Sequence, residues 1–233
     1  MGGWAVYIAT TSGPSRIQDI SVDHQLSHAV MTVNFRTKRA AVTNAYADFV
    51  SSDAGLIARR VGEHRFRMKV SHDVQRGDSW QLAAFAAHAL KAAGRLHSCR
   101  APHHEDVRAD LDGAEGGVWA TGILGDDLGV LPVEKIKTKL ETSWPLFEAC
   151  NAANLPVICF LPAANETELP GSSDLAEFIR LTEETFPLIQ FRYVDQVKFA
   201  AEFWLPEEAA RPIGLSGPSD TDGKPFWVRY LGP

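Results

Sequence analysis

A serine directly before an alanine-rich segment is the first candidate for chemistry. In "RGDSWQLAAFAAHAL" (76–90), Ser79 precedes apolar residues that recur at helical spacing. A serine at this position could be an N-cap, because its side-chain oxygen can accept a hydrogen bond from a free amide at the helix start. It could also be a nucleophile, because free N–H groups and the positive end of the helix dipole lie near its hydroxyl. The second role requires a base elsewhere in the chain.

Three lysines in "GVLPVEKIKTKLE" (129–141) are candidates for that base: Lys135, Lys137 and Lys139. A lysine among apolar residues loses its charge more readily than an exposed one, and a neutral lysine can take the proton of a serine. Spacing alone does not choose between the three. An exposed basic start of a helix is the ordinary alternative interpretation of the same segment.

The composition excludes several classes of protein. A formal net charge of −6 over 233 residues gives no basic surface for nucleic acid, and no apolar run approaches the ~18 residues of a membrane span. No basic residue precedes Arg16, so we expect no secretory signal. The three cysteines cannot all pair, which favours a reduced, cytoplasmic compartment. The polar segment "HSCRAPHHED" lacks C-x-x-C and H-x-x-x-H spacing, so we predict no metal and no cofactor.

Strand-like and helix-like segments alternate along the chain, which favours a single α/β or α+β domain over residues 1–205. We expect a polar insertion at 97–116 and a C-terminal tail or linker at 206–233. The segment 12–27 indicates a turn with a possible short strand. Predicted strands are 4–11, 28–36, 65–74, the start of 116–132, 156–162 and 188–194; predicted helices are 37–52, 81 to about 93, 139–153, 172–186 and 195–205.

The order of these motifs resembles that of the Lon proteases, Ser-Lys peptidases that are linked to AAA+ ATPases. The segments that carry the resemblance are "KVSHDVQRGDSWQLAAFAAHALKAA", "ATGILGDDLGVLPVEKIKTKLE" and "LPVICFLPAANETELP", with Pro162 and Asn165 in the last. The family has "vLPVGGIKEKL" where this chain has "VLPVEKIKTKL". The resemblance covers roughly residues 28–204. It implies an α+β Lon peptidase fold (that of the second domain of ribosomal protein S5), with mixed sheets and packed helices.

The resemblance also implies roles for three residues. Ser79 falls on the family nucleophile, Lys137 on its general base, and Thr121 on a threonine that hydrogen-bonds the catalytic lysine. Together they would hydrolyse peptide bonds through an acyl-enzyme.

Three further residues are candidates for the oxyanion hole and the substrate cleft: Trp80 through its backbone N–H, Asp78 and His72. Asp78 has the alternative of a carboxylate that interacts only with the helix dipole. His72 has the alternative of a half-exposed strand histidine without a role in the cleft.

Two departures from the family pattern bear on activity. Glu134-Lys135 replaces a Gly-Gly pair, which could reshape the cleft or raise the pKa of the catalytic lysine, and Trp80 replaces a small residue. The sequence also contains no G-x-x-x-x-G-K-[ST] pattern. We therefore expect an ATP-independent serine endopeptidase that acts on accessible protein or peptide substrates, or that receives them from a partner AAA+ ATPase. The resemblance implies a hexameric homo-oligomer. The alternative is a catalytically degenerate Lon-fold protein that serves in binding or as a scaffold.

Overall fold

A mixed β-sheet of seven strands lies at the centre of the part of the chain that this computed structural model describes, residues 3–34, 38–51, 55–61, 63–99, 111–167 and 172–198. The strands in chain order are β1 (Gly3–Ile8), β2 (Ser15–Val22), β3 (Val30–Val33), β4 (Phe66–Val70), β5 (Ala114–Ala120), β6 (Ile123–Leu124), β7 (Val130–Leu131), β8 (Val157–Pro162) and β9 (Ile189–Val194). The sheet order is β3-β4-β2-β1-β5-β8-β9, and β6 and β7 form a separate antiparallel pair.

Helices cover both faces of this sheet. They are α1 (Thr43–Val50), α2 (Ala58–Val61), α3 (Gln81–Ala92), α4 (Ile136–Thr142), α5 (Trp144–Ala152), α6 (Ala164–Thr167) and α7 (Ser172–Thr185). Strand β2 is antiparallel to both of its neighbours, and the other neighbouring pairs are parallel. The predicted α+β class with a mixed sheet is therefore confirmed. None of the helices described is long and apolar enough to cross a membrane.

The sheet separates two hydrophobic clusters. Successive side chains of a strand point to opposite faces, so in β1 Val6 and Ile8 join the cluster under α1 and α3, whereas Ala5 and Tyr7 join the cluster under α4, α5 and α7. Because both faces are covered, strands β1 and β8 are apolar at nearly every position, which is why their runs stand out in the sequence.

Strand β2 is longer and more central than the sequence predicts. It has eight residues and pairs with both β1 and β4, whereas the pattern indicated only a possible short strand. The reason is that Arg16 and Gln18 are polar but only 1% exposed, so they interrupt the apolar signal of a buried strand.

The segment predicted as one helix over 139–153 is instead two helices. Helix α4 begins three residues earlier, at Ile136, and Ser143 separates it from α5. Pro145 lies in the first turn of α5, where a missing N–H costs nothing.

The first predicted helix begins at Thr43; its predicted cap at Thr37 lies outside the described residues. Most of the predicted insertion (100–110), most of the helix at 195–205 and the tail at 206–233 also lie outside them.

Candidate active site

Ser79 lies in the turn between β4 and α3 and does not cap the helix. The N-cap of α3 is Trp80, and no side-chain hydrogen bond caps this helix. The hydroxyl of Ser79 instead contacts an amine from α4. The N-cap interpretation of this serine is therefore wrong, and its hydroxyl is oriented toward a possible base.

That amine belongs to Lys139, not to Lys137. Lys139 Nζ donates hydrogen bonds to Ser79 Oγ at 3.1 Å and to Thr121 Oγ1 at 2.8 Å. Lys139 is only 5% exposed, whereas the Lys137 side chain is exposed to solvent. This corrects the residue assigned from the family resemblance. The physical reason is helical phase: residues two apart on a helix point about 200° apart, so only one of the two lysines can face the site.

A signal for Lys139 was present in the sequence. Ile136, Lys139 and Leu140 have the i, i+3, i+4 spacing of one helix face, and all three are buried. A lysine that shares a face with two apolar residues is the one expected to lose solvent.

Burial alters the acid–base behaviour of Lys139. Removal from water disfavours the charged amine and lowers its pKa from 10.5 to about 8. Burial is the cause of this pKa shift, and Glu134 has no part in it. Roughly one amine in ten is then neutral at pH 7, and half are neutral near pH 8.

The backbone around Thr121 joins the serine to the sheet. Thr121 follows β5 and its N–H donates to the carbonyl of Phe160 in β8. The next residue, Gly122, donates its N–H to the Ser79 carbonyl at 2.9 Å, and its own carbonyl accepts the Leu82 N–H at 3.1 Å. A Cβ at position 122 would lie 2.9 Å from a methyl of Val130, so glycine permits this close approach.

Helix α4 is fixed at the site by a chain of hydrogen bonds from the core. Trp119 Nε1 donates to Ser143 Oγ at 2.9 Å, and Ser143 Oγ donates to the Lys139 carbonyl at 2.7 Å. All three groups are buried. The backbone of the lysine is thereby tied to the central strand β5, which also leads to Thr121.

The loop that leads into α4 is held by Asn165. This side chain accepts the Val133 N–H at 3.0 Å and donates to the Val133 carbonyl at 2.8 Å, and it is only 4% exposed. Lys135, the N-cap of α4, has φ 59°, a left-handed conformation that favours glycine. The backbone thus adopts at Lys135 a shape that suits the glycine of the family pattern.

A cleft of about 440 Å³ opens over the serine and the lysine. Its walls come from the ends of β1, from the turn before α3, and from the loop before α4. The lining residues that carry polar or charged groups include Thr10, Thr11, Gln75, Arg76, Asp78, Glu134 and Lys135. Crevices beyond the carboxyl ends of parallel strands are a common place for ligands in α/β sheets.

The other predicted cleft residues have different positions. The Asp78 side chain is exposed at the cleft, and its carbonyl accepts the Gln81 N–H. The Trp80 ring is buried in edge-on contact with Tyr46 and Phe49, and its Nε1 donates to the Gly77 carbonyl at 2.7 Å. This indole therefore supports the turn that carries Ser79.

His72 is not among the residues that line this cleft. It is exposed after β4 and faces a smaller neighbouring pocket, which corrects its predicted place.

Two backbone amides are free to bind an oxygen in the cleft. Among the residues that the structure describes, no acceptor is hydrogen-bonded to the N–H of Ser79 or of Trp80. Both residues line the cleft. Free amides beside a nucleophile can stabilise the negative oxygen of a tetrahedral intermediate.

The described part of the chain contains no group of three or more His, Cys, Asp or Glu side chains arranged to hold a metal ion. No family model matches the chain, and no curated protein matches it. The function has to be inferred from the geometry of the site.

Proposed function

We propose that this protein is a Lon-like serine endopeptidase that hydrolyses peptide bonds with a Ser79–Lys139 dyad. The observation that carries the proposal is the 3.1 Å contact between Ser79 Oγ and the Nζ of a buried lysine that lies at the base of a cleft. Burial of a lysine beside two neutral hydroxyls does not stabilise the fold, because removal of its charge from water costs free energy, so a catalytic role better explains its position.

The geometry supports a sequence of proton transfers. When Lys139 is neutral, Nζ keeps one N–H on Thr121 Oγ1, and its lone pair replaces the donated hydrogen bond to Ser79 Oγ, 3.1 Å away, so that the serine hydroxyl donates to it. As Ser79 Oγ attacks the peptide carbonyl, its proton passes to Nζ, and the amides of Ser79 and Trp80 stabilise the oxyanion. The ammonium of Lys139 then protonates the leaving amine, and an ester at Ser79 remains. Water attacks this ester and gives a proton to Nζ; as the bond from the carbonyl carbon to Ser79 Oγ breaks, Nζ passes that proton to Oγ, so the acid product leaves and both the serine and the neutral lysine are regenerated.

The size of the cleft limits the substrate. A volume of about 440 Å³ is that of a site for a small ligand or a few side chains. An extended peptide segment can enter such a cleft, whereas a folded protein cannot. We therefore propose that the substrates are flexible segments, or chains that a partner AAA+ ATPase has unfolded and delivers in trans. A homo-oligomer, hexameric by resemblance to the Lon family, is part of the same proposal.

Covalent labelling of the serine tests the proposal. A fluorophosphonate probe at about pH 9, where Lys139 is mostly neutral, is expected to label the wild-type protein at Ser79. The Ser79→Ala and Lys139→Met variants are expected to lose both labelling and cleavage of an unfolded protein substrate such as casein.

Lys137→Ala is the matched control, since it removes the exposed lysine of the same helix and should leave labelling unchanged. If the folded wild type and the Ser79→Ala variant gave the same absence of labelling, the protein would be a binding or scaffold protein on this fold.

A further inference from the structure

A second polar site surrounds Arg16, a buried arginine of β2. Arg16 is 1% exposed, and its guanidinium lies 5.4 Å from the centre of the Tyr7 ring. Nη1 donates to the Tyr7 hydroxyl at 3.0 Å, and Nη2 donates to Nδ1 and to the carbonyl of His97 at 2.7 and 3.1 Å. None of these three acceptor groups belongs to an acidic side chain.

The charge of this guanidinium has no counter-charge among the described residues. Their ion pairs do not include Arg16, and Arg16 Nε is buried without any hydrogen-bond acceptor. Three of the five guanidinium N–H groups are used, so Nε–H and one Nη1–H remain. A buried arginine is normally paired with a carboxylate or a phosphate, because an unpaired charge is costly to bury.

A pocket of about 160 Å³ has Arg16 in its lining and is separate from the cleft over Ser79. Besides Arg16, its polar lining includes Ser12, Ser71, His72 and Thr142. These side chains supply hydroxyls and an imidazole, the groups that complete the hydrogen bonding of a bound oxyanion. No lining residue is acidic. The volume is below the range of pockets for drug-sized ligands, so it suits one small charged group.

We propose that this pocket binds a small oxyanion, a carboxylate or a phosphate group, with Arg16 as its counter-charge. This inference does not depend on the proposed peptidase activity. The ligand would accept from the remaining Nη1–H of Arg16 and from the hydroxyls of the lining, and its negative charge would balance that of the guanidinium.

Thermal unfolding at constant ionic strength tests the proposal on the intact protein. Chloride is exchanged for inorganic phosphate in one series and for acetate in a second. The melting temperature is expected to rise by roughly 3–5 °C at ten times the Kd, and to keep rising with the logarithm of the anion concentration above it. The series with the lower Kd shows whether the pocket prefers a phosphate or a carboxylate. A melting temperature that follows ionic strength alone in both series would overturn the proposal.

Two variants locate the effect. Arg16→Met replaces the guanidinium with an uncharged, unbranched side chain. It should abolish the dependence of the melting temperature on the anion. Arg39→Met, which removes an exposed arginine, is the matched control and should respond as the wild type does. Retention of the anion response in a folded Arg16→Met protein would contradict the proposal.

Nitrogen-15 spectra of the wild type provide a measurement that does not require the variant to fold. The Nε–H signal of Arg16 should be protected from exchange and should shift with added phosphate or acetate. An Arg16 signal that stays unchanged through both titrations would overturn the assignment.

Discussion

The amine of Lys139 lies 2.8 Å from Thr121 Oγ1, closer than the 3.1 Å that separates it from Ser79 Oγ. Thr121 is fully buried, and its backbone is hydrogen-bonded to β8. The threonine hydroxyl is thus the fixed acceptor that orients the flexible lysine side chain. With Nζ held in this way, a second bonding direction of the amine points at the serine hydroxyl. In this arrangement Thr121 is a positioning residue for the proposed base.

Thr121→Val tests this positioning, because valine has the shape of threonine without the hydroxyl. We expect kcat to fall roughly 10- to 100-fold, since Nζ loses the acceptor that holds it near Ser79. The pKa of Lys139 should fall below about 8, because the ammonium form loses a hydrogen-bond partner in a buried place. The measurement is the pH profile of kcat/KM, whose midpoint should move to lower pH.

Thr121→Ser is the matched variant, because it keeps the hydroxyl and removes only a methyl group. Its midpoint should equal that of the wild type. A valine variant that lost activity with no change of midpoint would indicate a packing role alone.

The wild-type pH profile is itself predicted. Burial lowers the pKa of Lys139 to about 8, and the base is active only when neutral. The value of kcat/KM should therefore rise about tenfold per pH unit below pH 7 and level off above pH 9. A midpoint near 10.5, the ordinary value for lysine, would contradict the assignment of the buried Lys139 as the base.

Some of the site could be predicted because its residues belong to strong local patterns. Ser79 precedes a helix with a clear apolar stripe, and Thr121 directly follows a buried strand, so both positions follow from the sequence. The choice of lysine did not follow, because it depends on helical phase. The predicted helix began at residue 139, and with that start Ile136 and Lys139 do not share a face. Only the observed start at Ile136 makes Lys139 inward-facing.

Strand β2 is predicted only as a possible short strand, for a different reason. Buried strands are recognised by apolar residues, and this strand buries Arg16 and Gln18. The cost of burying Arg16 is offset by partners from residues far away in the chain, such as His97. Tertiary contacts of this kind leave no periodic trace in the sequence.

Lys135→Gly is expected to stabilise the protein, although glycine usually weakens a helix start. Lys135 has φ 59°, a conformation that costs a side-chain-bearing residue about 1–2 kcal/mol and glycine almost nothing. Glycine has more conformational entropy in the unfolded chain, and this offsets part of the relief of strain. We therefore expect the free energy of unfolding to rise by about 0.5–1 kcal/mol. Urea unfolding should show a higher midpoint with an unchanged slope.

Lys137→Gly is the control for this substitution, since Lys137 is exposed within the same helix. It should cost about 0.5–1 kcal/mol, because glycine there has no left-handed strain to relieve. Equal losses in the two glycine variants would show that the left-handed backbone at position 135 is not strained by its side chain.

Asn165→Ala should alter the binding of peptides in the cleft without disturbing the contact between Ser79 and Lys139. The substitution leaves the N–H and carbonyl of Val133 without their partner, at a cost of about 2–4 kcal/mol to the free energy of unfolding. The loop before α4 forms one wall of the cleft, so KM for a peptide should rise. Lys139 is held independently through Ser143, so labelling of Ser79 by a small fluorophosphonate should persist.

Asn151→Ala is the matched control, because Asn151 is a half-buried asparagine on α5. This variant should change the free energy of unfolding by less than about 0.5 kcal/mol. If Asn165→Ala removed labelling while the protein stayed folded, Asn165 would be needed to place the dyad itself, because the hydrogen bonds of Ser143 alone would not keep Lys139 beside Ser79.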